Sequence, residues 1–168
     1  RLGATPLERD EGEYAYAGQL ILRGIPPYLH VYNMKFPGTY YAYSLILAIF
    51  GETPLRIHTG LLLVNAATTL LVFAIARRIE GEAFAAVAAV AFAVLSVDRC
   101  VMGIFAHATH FVLLPALAAL LVLLRDQAKR TLAHVGGAGV LLGIAVLMKQ
   151  HAVLFIPLAA GLIAVQAR

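Results

Sequence analysis

Charged residues are scarce in this sequence, and their scarcity excludes a large class of proteins. Of the 168 residues, 13% are charged and 61% are hydrophobic, and the mean hydropathy is +0.85. About 25% of the residues of a typical soluble domain are charged, so this composition excludes an ordinary soluble domain. The charges stand at the ends of long apolar runs, which is typical of a protein with several membrane-spanning helices.

Cysteine and nucleotide-binding motifs are also absent or nearly so. The single cysteine, Cys100, excludes an internal disulfide. The sequence contains no Walker loop, no dinucleotide fingerprint and no nucleophile elbow. The net charge of +4 is spread over the ends of the apolar runs, so it does not indicate a nucleic-acid partner. Because the chain begins at Arg1 without a basic and then apolar leader, we expect a preceding membrane helix to lie outside this sequence.

The apolar runs predict an all-α fold, a polytopic membrane helical bundle. About five transmembrane helices are predicted, at residues 57–76, 83–98, 103–124, 135–149 and 152–167. Residues 10–23 predict an amphipathic helix. Residues 39–50 predict a second interfacial helix, because a bilayer crossing needs about 20 residues. The chain is thus predicted to divide into an outer loop with two interfacial helices (1–55) and a transmembrane bundle (56–168).

The basic residues predict how the bundle lies in the membrane. They cluster at alternate helix junctions, as Arg77, Arg78, Arg125, Lys129, Arg130 and Arg168. The positive-inside rule assigns these junctions to the cytoplasm. The opposite, outer side then receives the acidic segment 10–19, the aromatic loop 28–38, Asp98 with Arg99, and residues 149–151. These polar groups are far apart in sequence, so their convergence predicts a cavity that opens to the outer side.

The acidic segment contains Asp10, Glu11 and Glu13, the densest group of carboxylates in the chain. On a helix, Asp10 and Glu13 share a face that Tyr14 continues, while Glu11 points elsewhere. Two interpretations are open. The acids can form the solvated start of a helix, with Asp10 as the N-cap and the helix dipole favouring negative charge. Alternatively, they can carry chemistry.

Two lysines and an Asp–Arg pair are candidates on the same side. Lys149 interrupts an apolar run, where a lysine costs on the order of 3 kcal/mol at mid-membrane and less near an interface. It either reaches water at the tip of a helical hairpin or binds an anionic ligand such as a phosphate. Lys35 has the same two interpretations, and Asp98 with Arg99 is most simply an ion pair in a loop.

The histidines on the third predicted span are further candidates. His107 and His110 are three residues apart, so they would share one helix face. They either line a polar cavity or contribute to a metal site, but two ligands do not make a site. A third ligand would come from Asp10, Glu11 or His151. A divalent metal therefore stays an open alternative.

Three segments carry a resemblance to a known family. Asp10-Glu11 followed by Tyr14-Ala15 is similar to a D-E-x-x-Y-A motif, residues 35–40 are similar to a K-P-P-x-x-Y segment, and residues 147–149 are similar to an L-T-K signature. By these motifs, their order and their sidedness, the chain resembles the GT-C superfamily membrane glycosyltransferases of the protein O-mannosyltransferase and aminoarabinose transferase branch. Phe36 stands where that family has its first proline, and Met148 stands where it has threonine. The family has further helices on both sides, so the resemblance implies the N-terminal membrane part of such an enzyme.

The resemblance implies an inverting transferase that uses a polyprenyl-phosphate-linked sugar, in the bacterial inner (cytoplasmic) membrane with its site on the outer side. Asp10 would be the general base, and Glu11 would orient the acceptor or hold a metal. Cations would meet the leaving phosphate. The residues implied for substrate and phosphate binding are Lys35, Arg99, Lys149, Tyr40, His107, His110 and His151. The implied partners are the lipid-linked donor and the bilayer, and no nucleotide cofactor is needed.

Two other functions are consistent with the sequence. The chain can be a non-catalytic membrane subunit, a truncated glycosyltransferase relative that braces a larger membrane complex. A small transporter component is the weaker alternative, because the polar groups gather on one side instead of following a path across the membrane. Replacing Asp10 separates the transferase from the non-catalytic subunit, since only a transferase would lose sugar transfer.

Overall fold

Every regular element in the part of the chain that the structure describes is a helix. The computed structural model describes residues 6–98, 103–125 and 131–166. These residues contain seven α-helices and one 3-10 helix: α1 (Arg9–Leu22), α2 (Gly38–Phe50), α3 (Pro54–Glu80), α4 (Glu82–Leu95), α5 (Ala108–Leu123), α6 (Leu132–Met148), the 3-10 helix (Gln150–Leu154) and α7 (Phe155–Gln166). The all-α prediction is confirmed, and each predicted segment corresponds to a helical stretch.

Glu8, and not the predicted Asp10, is the N-cap of α1. The Glu8 carboxylate accepts the Asp10 backbone N–H at 2.7 Å, and Glu11 Oε2 in return accepts the Glu8 backbone N–H at 2.9 Å. This reciprocal pair satisfies donors that the first helical turn leaves without an intrahelical partner. The prediction of Asp10 as N-cap is wrong because the Glu8 side chain reaches the helix start first, which leaves the Asp10 carboxylate for another partner.

Helix α3 is by far the longest. Its 27 residues extend about 40 Å at a rise of 1.5 Å per residue. Among the described helices, it is the one that is long and apolar enough to cross a membrane. Helices α4, α5 and α6 have 14, 16 and 17 residues. By length and composition, the structure therefore supports one of the five predicted spans.

The third predicted span, 103–124, is shorter than expected at its start. His107 has an extended backbone, with φ −65° and ψ 151°, and it is the N-cap of α5, which begins at Ala108. The preceding residues form turns and not helix. As a result, His107 stands at the entrance to the helix and not inside it.

Aromatic rings attach the first two helices to the rest of the protein. Tyr14 of α1 and Tyr43 of α2 meet edge to face with ring centroids 5.4 Å apart, and Tyr43 lies 5.7 Å from Phe111 of α5. Such ring pairs stabilise a fold beyond the area that they bury. Because Tyr14 and Tyr43 are at most 2% exposed, α1 and α2 pack closely against the bundle.

One end of the bundle collects basic side chains. Arg78 Nη1 donates to the Leu121 carbonyl oxygen at 2.7 Å, so the last turns of α3 and α5 lie at the same end. Arg77 precedes Arg78, and Arg125 follows α5 directly. This arrangement agrees with the prediction for Arg77, Arg78 and Arg125, whereas Lys129, Arg130 and Arg168 lie outside the described residues.

The opposite end brings together two segments that are far apart in sequence. Thr39 Oγ1 donates to the Met148 carbonyl oxygen at 2.9 Å. Gln150 Nε2 donates to the Met34 carbonyl oxygen at 2.8 Å. The aromatic loop 28–38 and the segment 149–151 therefore meet, as the sequence predicted.

Gly38 permits the closest approach between α2 and α6. A Cβ atom on Gly38 would lie 2.5 Å from the Leu147 carbonyl oxygen and 2.8 Å from the Met148 backbone nitrogen. We therefore expect Gly38→Ala to lower the melting temperature of the detergent-solubilised protein, because such overpacking costs about 1–3 kcal/mol. Far-UV circular dichroism measures the transition.

Gly143→Ala on α6 is the matched control for Gly38→Ala. A Cβ atom on Gly143 meets no atom within 4 Å. Alanine stabilises a helix interior by about 0.5–1 kcal/mol relative to glycine, so the melting temperature of this variant should stay equal or rise. Equal melting temperatures for Gly38→Ala and the unsubstituted protein would contradict the close approach.

Candidate active site

The ammonium group of Lys35 joins two carboxylates of α1. Its Nζ lies 3.2 Å from Asp10 Oδ2 and 3.7 Å from Glu13 Oε2. It also lies over the Tyr14 ring, 4.7 Å from the centroid, where the ring face attracts a cation. Asp10 and Glu13 are one helical turn apart, so both reach the same cation. The prediction that they share a face is confirmed.

Glu13 connects this cation to the loop and to α2. Its Oε1 accepts a hydrogen bond from the Asn33 side-chain amide at 2.5 Å and another from the Tyr40 hydroxyl at 3.0 Å. The Asn33 Oδ1 accepts the Lys35 backbone N–H at 3.1 Å, which holds the loop that carries the lysine. We call the following residues the Lys35 cluster: Asp10, Glu13, Tyr14, Asn33, Lys35 and Tyr40.

The Lys35 cluster keeps both of its main charges. Burial raises the pKa of the Asp10 carboxyl, but the hydrogen bond and the charge of Lys35, together with smaller effects of Arg9, outweigh burial, so this pKa lies below its ordinary value. Burial lowers the pKa of Lys35, but its hydrogen bonds with Tyr14 and Asp10 outweigh burial and raise that pKa. Asp10 is therefore a carboxylate and Lys35 an ammonium at neutral pH.

These opposite shifts define the pH window in which the pair stabilises the fold. The folded-state pKa of Asp10 is depressed, so its contribution is present above the ordinary pKa of 3.8 and is lost as the pH falls through the folded value. The folded-state pKa of Lys35 is raised, so its contribution is present below the ordinary pKa of 10.5 and is lost as the pH rises through the folded value.

Glu11 points away from the Lys35 cluster, as predicted, and is 0% exposed. Its Oε1 accepts the Ala106 backbone N–H at 2.5 Å and lies 3.2 Å from Nε2 of His58 on α3. The Tyr43 hydroxyl donates to the Ala106 carbonyl oxygen at 2.7 Å, and burial raises the pKa of this hydroxyl, so it remains a donor. The peptide unit before α5 is thus held from both sides.

Lys149 lies in the extended link between α6 and the 3-10 helix. Its Nζ donates to Thr109 Oγ1, in the first turn of α5, at 3.4 Å. The adjacent Gln150 is bonded to the Met34 carbonyl oxygen, next to Lys35. Lys149 and the Lys35 loop are therefore at the same end of the protein.

The two predicted histidines of the third span have different partners. His107 Nε2 lies 3.9 Å from Glu8 Oε2, whereas His110 Nδ1 lies 3.0 Å from Asn65 Oδ1 of α3. They therefore do not converge on one shared partner. Within residues 6–98, 103–125 and 131–166, no three His, Cys, Asp or Glu side chains are grouped closely enough to hold a metal ion.

His151 is exposed in the 3-10 helix. Arg99 lies outside the described residues.

An apolar cleft lies beside the end of the bundle that carries Lys35 and Lys149. Its volume is about 340 Å³, and it lies among α2, α3, α5 and α6. The lining residues are Ala42, Leu45, Ile46, Val64, Phe111, Leu114, Pro115, Ala118, Leu141, Ile144 and Met148. Since Met148 directly precedes Lys149, the cleft begins next to the cation.

Sequence reasoning missed two important members of this region. Asn33 was part of a polar loop without a role of its own, because its partner Glu13 lies 20 residues away. His58 lies in a predicted membrane span, where the hydrophobic pattern assigns it no role. The one signal for it is a histidine in the first turns of a mainly apolar helix.

We expect Lys35→Met to raise the pKa of the Asp10 carboxyl above its value in the unsubstituted protein. The reason is that burial, the largest influence on this pKa, is then no longer opposed by Lys35, and Arg9 alone of the two cations continues to lower the pKa. Infrared difference titration measures the pKa, and Asp10→Asn identifies the carboxyl band. Lys149→Met is the matched control, because Lys149 donates to Thr109 and should leave the titration unchanged. An Asp10 pKa that stays low without Lys35 would contradict the expectation.

The comparison with known proteins gives one match. The sequence model of the dolichyl-phosphate-mannose-protein mannosyltransferase family matches residues 34–168, a range that includes Lys35 and Lys149 and begins after the acidic segment. No curated protein and no solved structure matches the chain. The match confirms the resemblance inferred from the motifs. The chain therefore belongs to the dolichyl-phosphate-mannose-protein mannosyltransferase family, a membrane-integral family of the GT-C glycosyltransferase superfamily.

Proposed function

We propose that this chain is the N-terminal membrane part of an inverting glycosyltransferase that takes its sugar from a polyprenyl-phosphate donor, with Asp10 as the general base. Family membership supports sugar transfer. The choice of base is carried by the contrast between two neighbouring carboxylates. The Asp10 side chain is 24% exposed, whereas the Glu11 side chain is 0% exposed. A base must reach the proton that it takes, so Asp10 is the one that can meet an acceptor.

The transfer step needs one proton acceptor and one stabilised leaving group. The acceptor hydroxyl oxygen forms a bond to the anomeric carbon, and its proton passes to the Asp10 carboxylate. The bond between the anomeric carbon and the phosphate oxygen breaks, and its electron pair stays on the phosphate. In the resting site Lys35 makes Asp10 a weak base. A donor phosphate that draws Lys35 towards itself would make Asp10 a stronger one.

Cations would stabilise the phosphate as it leaves. We assign this role to Lys149 and Lys35, supported by the contact between Gln150 and Met34 that holds their two segments together. Arg99 is proposed as a third cation. Tyr40 would act through its hydrogen bond to Glu13, and Glu11 would act indirectly, by holding α1.

The remaining predicted site residues would line the entrance to the site. This assignment covers His107, His110 and His151. The first two lie at the start of α5, close to Thr109 and therefore to Lys149. A hydrogen-bonding role towards the sugar or the acceptor suits their chemistry.

We further propose that the apolar helices after α3 also cross the membrane, which gives the five predicted spans. They are shorter than about 20 residues, and local bilayer thinning with interfacial anchors can absorb the difference. The Lys35 cluster would then face the outer side of a bacterial inner membrane, because Arg77, Arg78 and Arg125 lie at the other end. The apolar cleft next to Met148 would receive the first isoprene units of the donor.

The rival hypothesis is a non-catalytic subunit that braces a larger membrane complex. Such a subunit would need no accessible carboxylate and no cation beside it. The partly exposed Asp10 with Lys35 at 3.2 Å therefore favours the transferase.

Asp10→Asn in the complete protein should lower kcat about 10²- to 10⁴-fold, because the general base is lost. The melting temperature should change little. The assay follows transfer of labelled sugar from dolichyl-phosphate mannose and from other polyprenyl-phosphate sugars to the proteins, lipids and glycans of isolated membranes. Glu52→Gln is the matched control: Glu52 is an exposed acid bonded to Gln19, outside the Lys35 cluster, and its variant should keep full activity. Undiminished transfer by Asp10→Asn would show that Asp10 is not the base. Inactivity of the unsubstituted protein with every such donor would contradict the proposed function itself.

Lys149→Gln should weaken phosphate binding without removing the base. Hydrogen bonds to charged groups contribute about 1.5–3 kcal/mol, so the inhibition constant of sugar-free polyprenyl phosphate should rise about 10- to 100-fold. Lys149→Arg keeps the charge, so the inhibition constant of this variant should rise less. Arg78→Gln changes a cation at the opposite end of the bundle and should leave the constant unchanged. Equal inhibition constants for Lys149→Gln and the unsubstituted protein would contradict the assigned role.

A further inference from the structure

His58 is a buried polar side chain near the start of α3. Its side chain is 1% exposed, and its Nε2 lies 3.2 Å from Glu11 Oε1. Glu11 directly follows Asp10, the proposed base. We propose that His58 is a positioning residue for sugar transfer, which holds Glu11 and thereby fixes the direction of Asp10. This role rests on the proposed function.

The geometry of α1 couples the two neighbouring acids. Successive side chains on an α-helix project about 100° apart. Glu11 projects towards α3 and Ala106, while Asp10 projects towards Lys35. A rotation of the first turn that moved Glu11 away from its partners would therefore also turn Asp10 away from Lys35. The contact with His58 opposes that rotation.

The Glu11 carboxylate needs partners because it is removed from water. Backbone N–H groups of Ala106 and Glu8 supply two hydrogen bonds. Among the side chains that the structure describes, His58 faces Glu11 at ion-pair distance. The nearby titratable groups have other partners: Lys35 forms ion pairs with Asp10 and Glu13, and the Tyr43 hydroxyl donates to the Ala106 carbonyl oxygen.

A buried pair of this kind contributes direction more than it contributes stability. Apolar residues of similar volume often stabilise a fold as well as a buried charged pair does. An apolar contact, however, slides and rotates easily, whereas a carboxylate that accepts two N–H hydrogen bonds and lies 3.2 Å from an imidazole nitrogen has one preferred orientation. This orientation is what a base positioned within hydrogen-bonding reach of an acceptor requires.

His58→Leu and His58→Gln in the complete protein test the role. Leucine fills a similar volume without a hydrogen-bond donor. The kcat of His58→Leu with dolichyl-phosphate mannose or the active donor should therefore fall about 10- to 100-fold, while the KM for the donor stays nearly unchanged. The amide of glutamine can donate to Glu11 from a similar position, so His58→Gln should keep most of the kcat that His58→Leu loses. A purely structural histidine would give parallel losses in the two variants.

Thr68→Val is the matched control on the same helix. Thr68 is 1% exposed, and its hydroxyl donates at 2.8 Å to the Val64 carbonyl oxygen of its own helix. Its variant therefore removes a buried hydrogen bond from α3 without touching α1. We expect a lowered melting temperature at an unchanged kcat.

A double-mutant cycle tests the pair without relying on activity. Glu11→Gln, His58→Leu and the double variant are compared by melting temperature. If the side chains interact, the double variant should lose less than the sum of the two single losses. Additive losses would overturn the pair, and coupled losses with an unchanged kcat in His58→Leu would overturn the positioning role. An unsubstituted protein without transfer would instead count against the proposed function, while the cycle would still decide whether the pair exists.

Discussion

A carboxylate that is removed from water must find its partners inside the protein, and Glu11 finds them on three separate parts of the chain. Its oxygens contact the backbone N–H groups of Glu8 and Ala106 and the imidazole of His58. An uncompensated charge at this depth would cost several kcal/mol. The start of α1, the first turns of α3 and the turn before α5 therefore meet at one point, and the Lys35 cluster depends on that junction.

Polar contacts join the helices at both ends of the bundle. At one end the arginines follow the last turns of α3 and α5, and Arg78 is bonded to the backbone of α5. At the other end the contacts of Thr39 and Gln150 join the aromatic loop to the end of α6. These contacts hold the Lys35 loop and Lys149 at the same end of the bundle.

Patterns of short range were readable from the sequence, and contacts of long range were not. Gly51 and Gly81 have φ values of 95° and 88°, which glycine adopts without strain. Gly51 ends α2 where the apolar run predicted, whereas α3 continues past its predicted end at residue 76 and stops before Gly81. The shared face of Asp10 and Glu13 follows directly from helical spacing. The cap by Glu8, the late start of α5 at Ala108 and the role of His58 depend on partners distant in sequence or on competing side chains, which periodicity does not encode.

The adjacency of Asp10 and Glu11 has a physical explanation that the motif alone does not give. Neighbouring residues on a helix cannot face the same partner, so one acid turns towards the bundle when the other turns towards the loop. The buried acid gains a fixed direction from α3 and α5, and the partly exposed acid inherits that direction through one peptide unit. Of the two adjacent carboxylates, Glu11 thus holds the helix, while Asp10 stays partly exposed beside Lys35. One side chain could not do both, since holding the helix requires burial and meeting a ligand requires access to solvent.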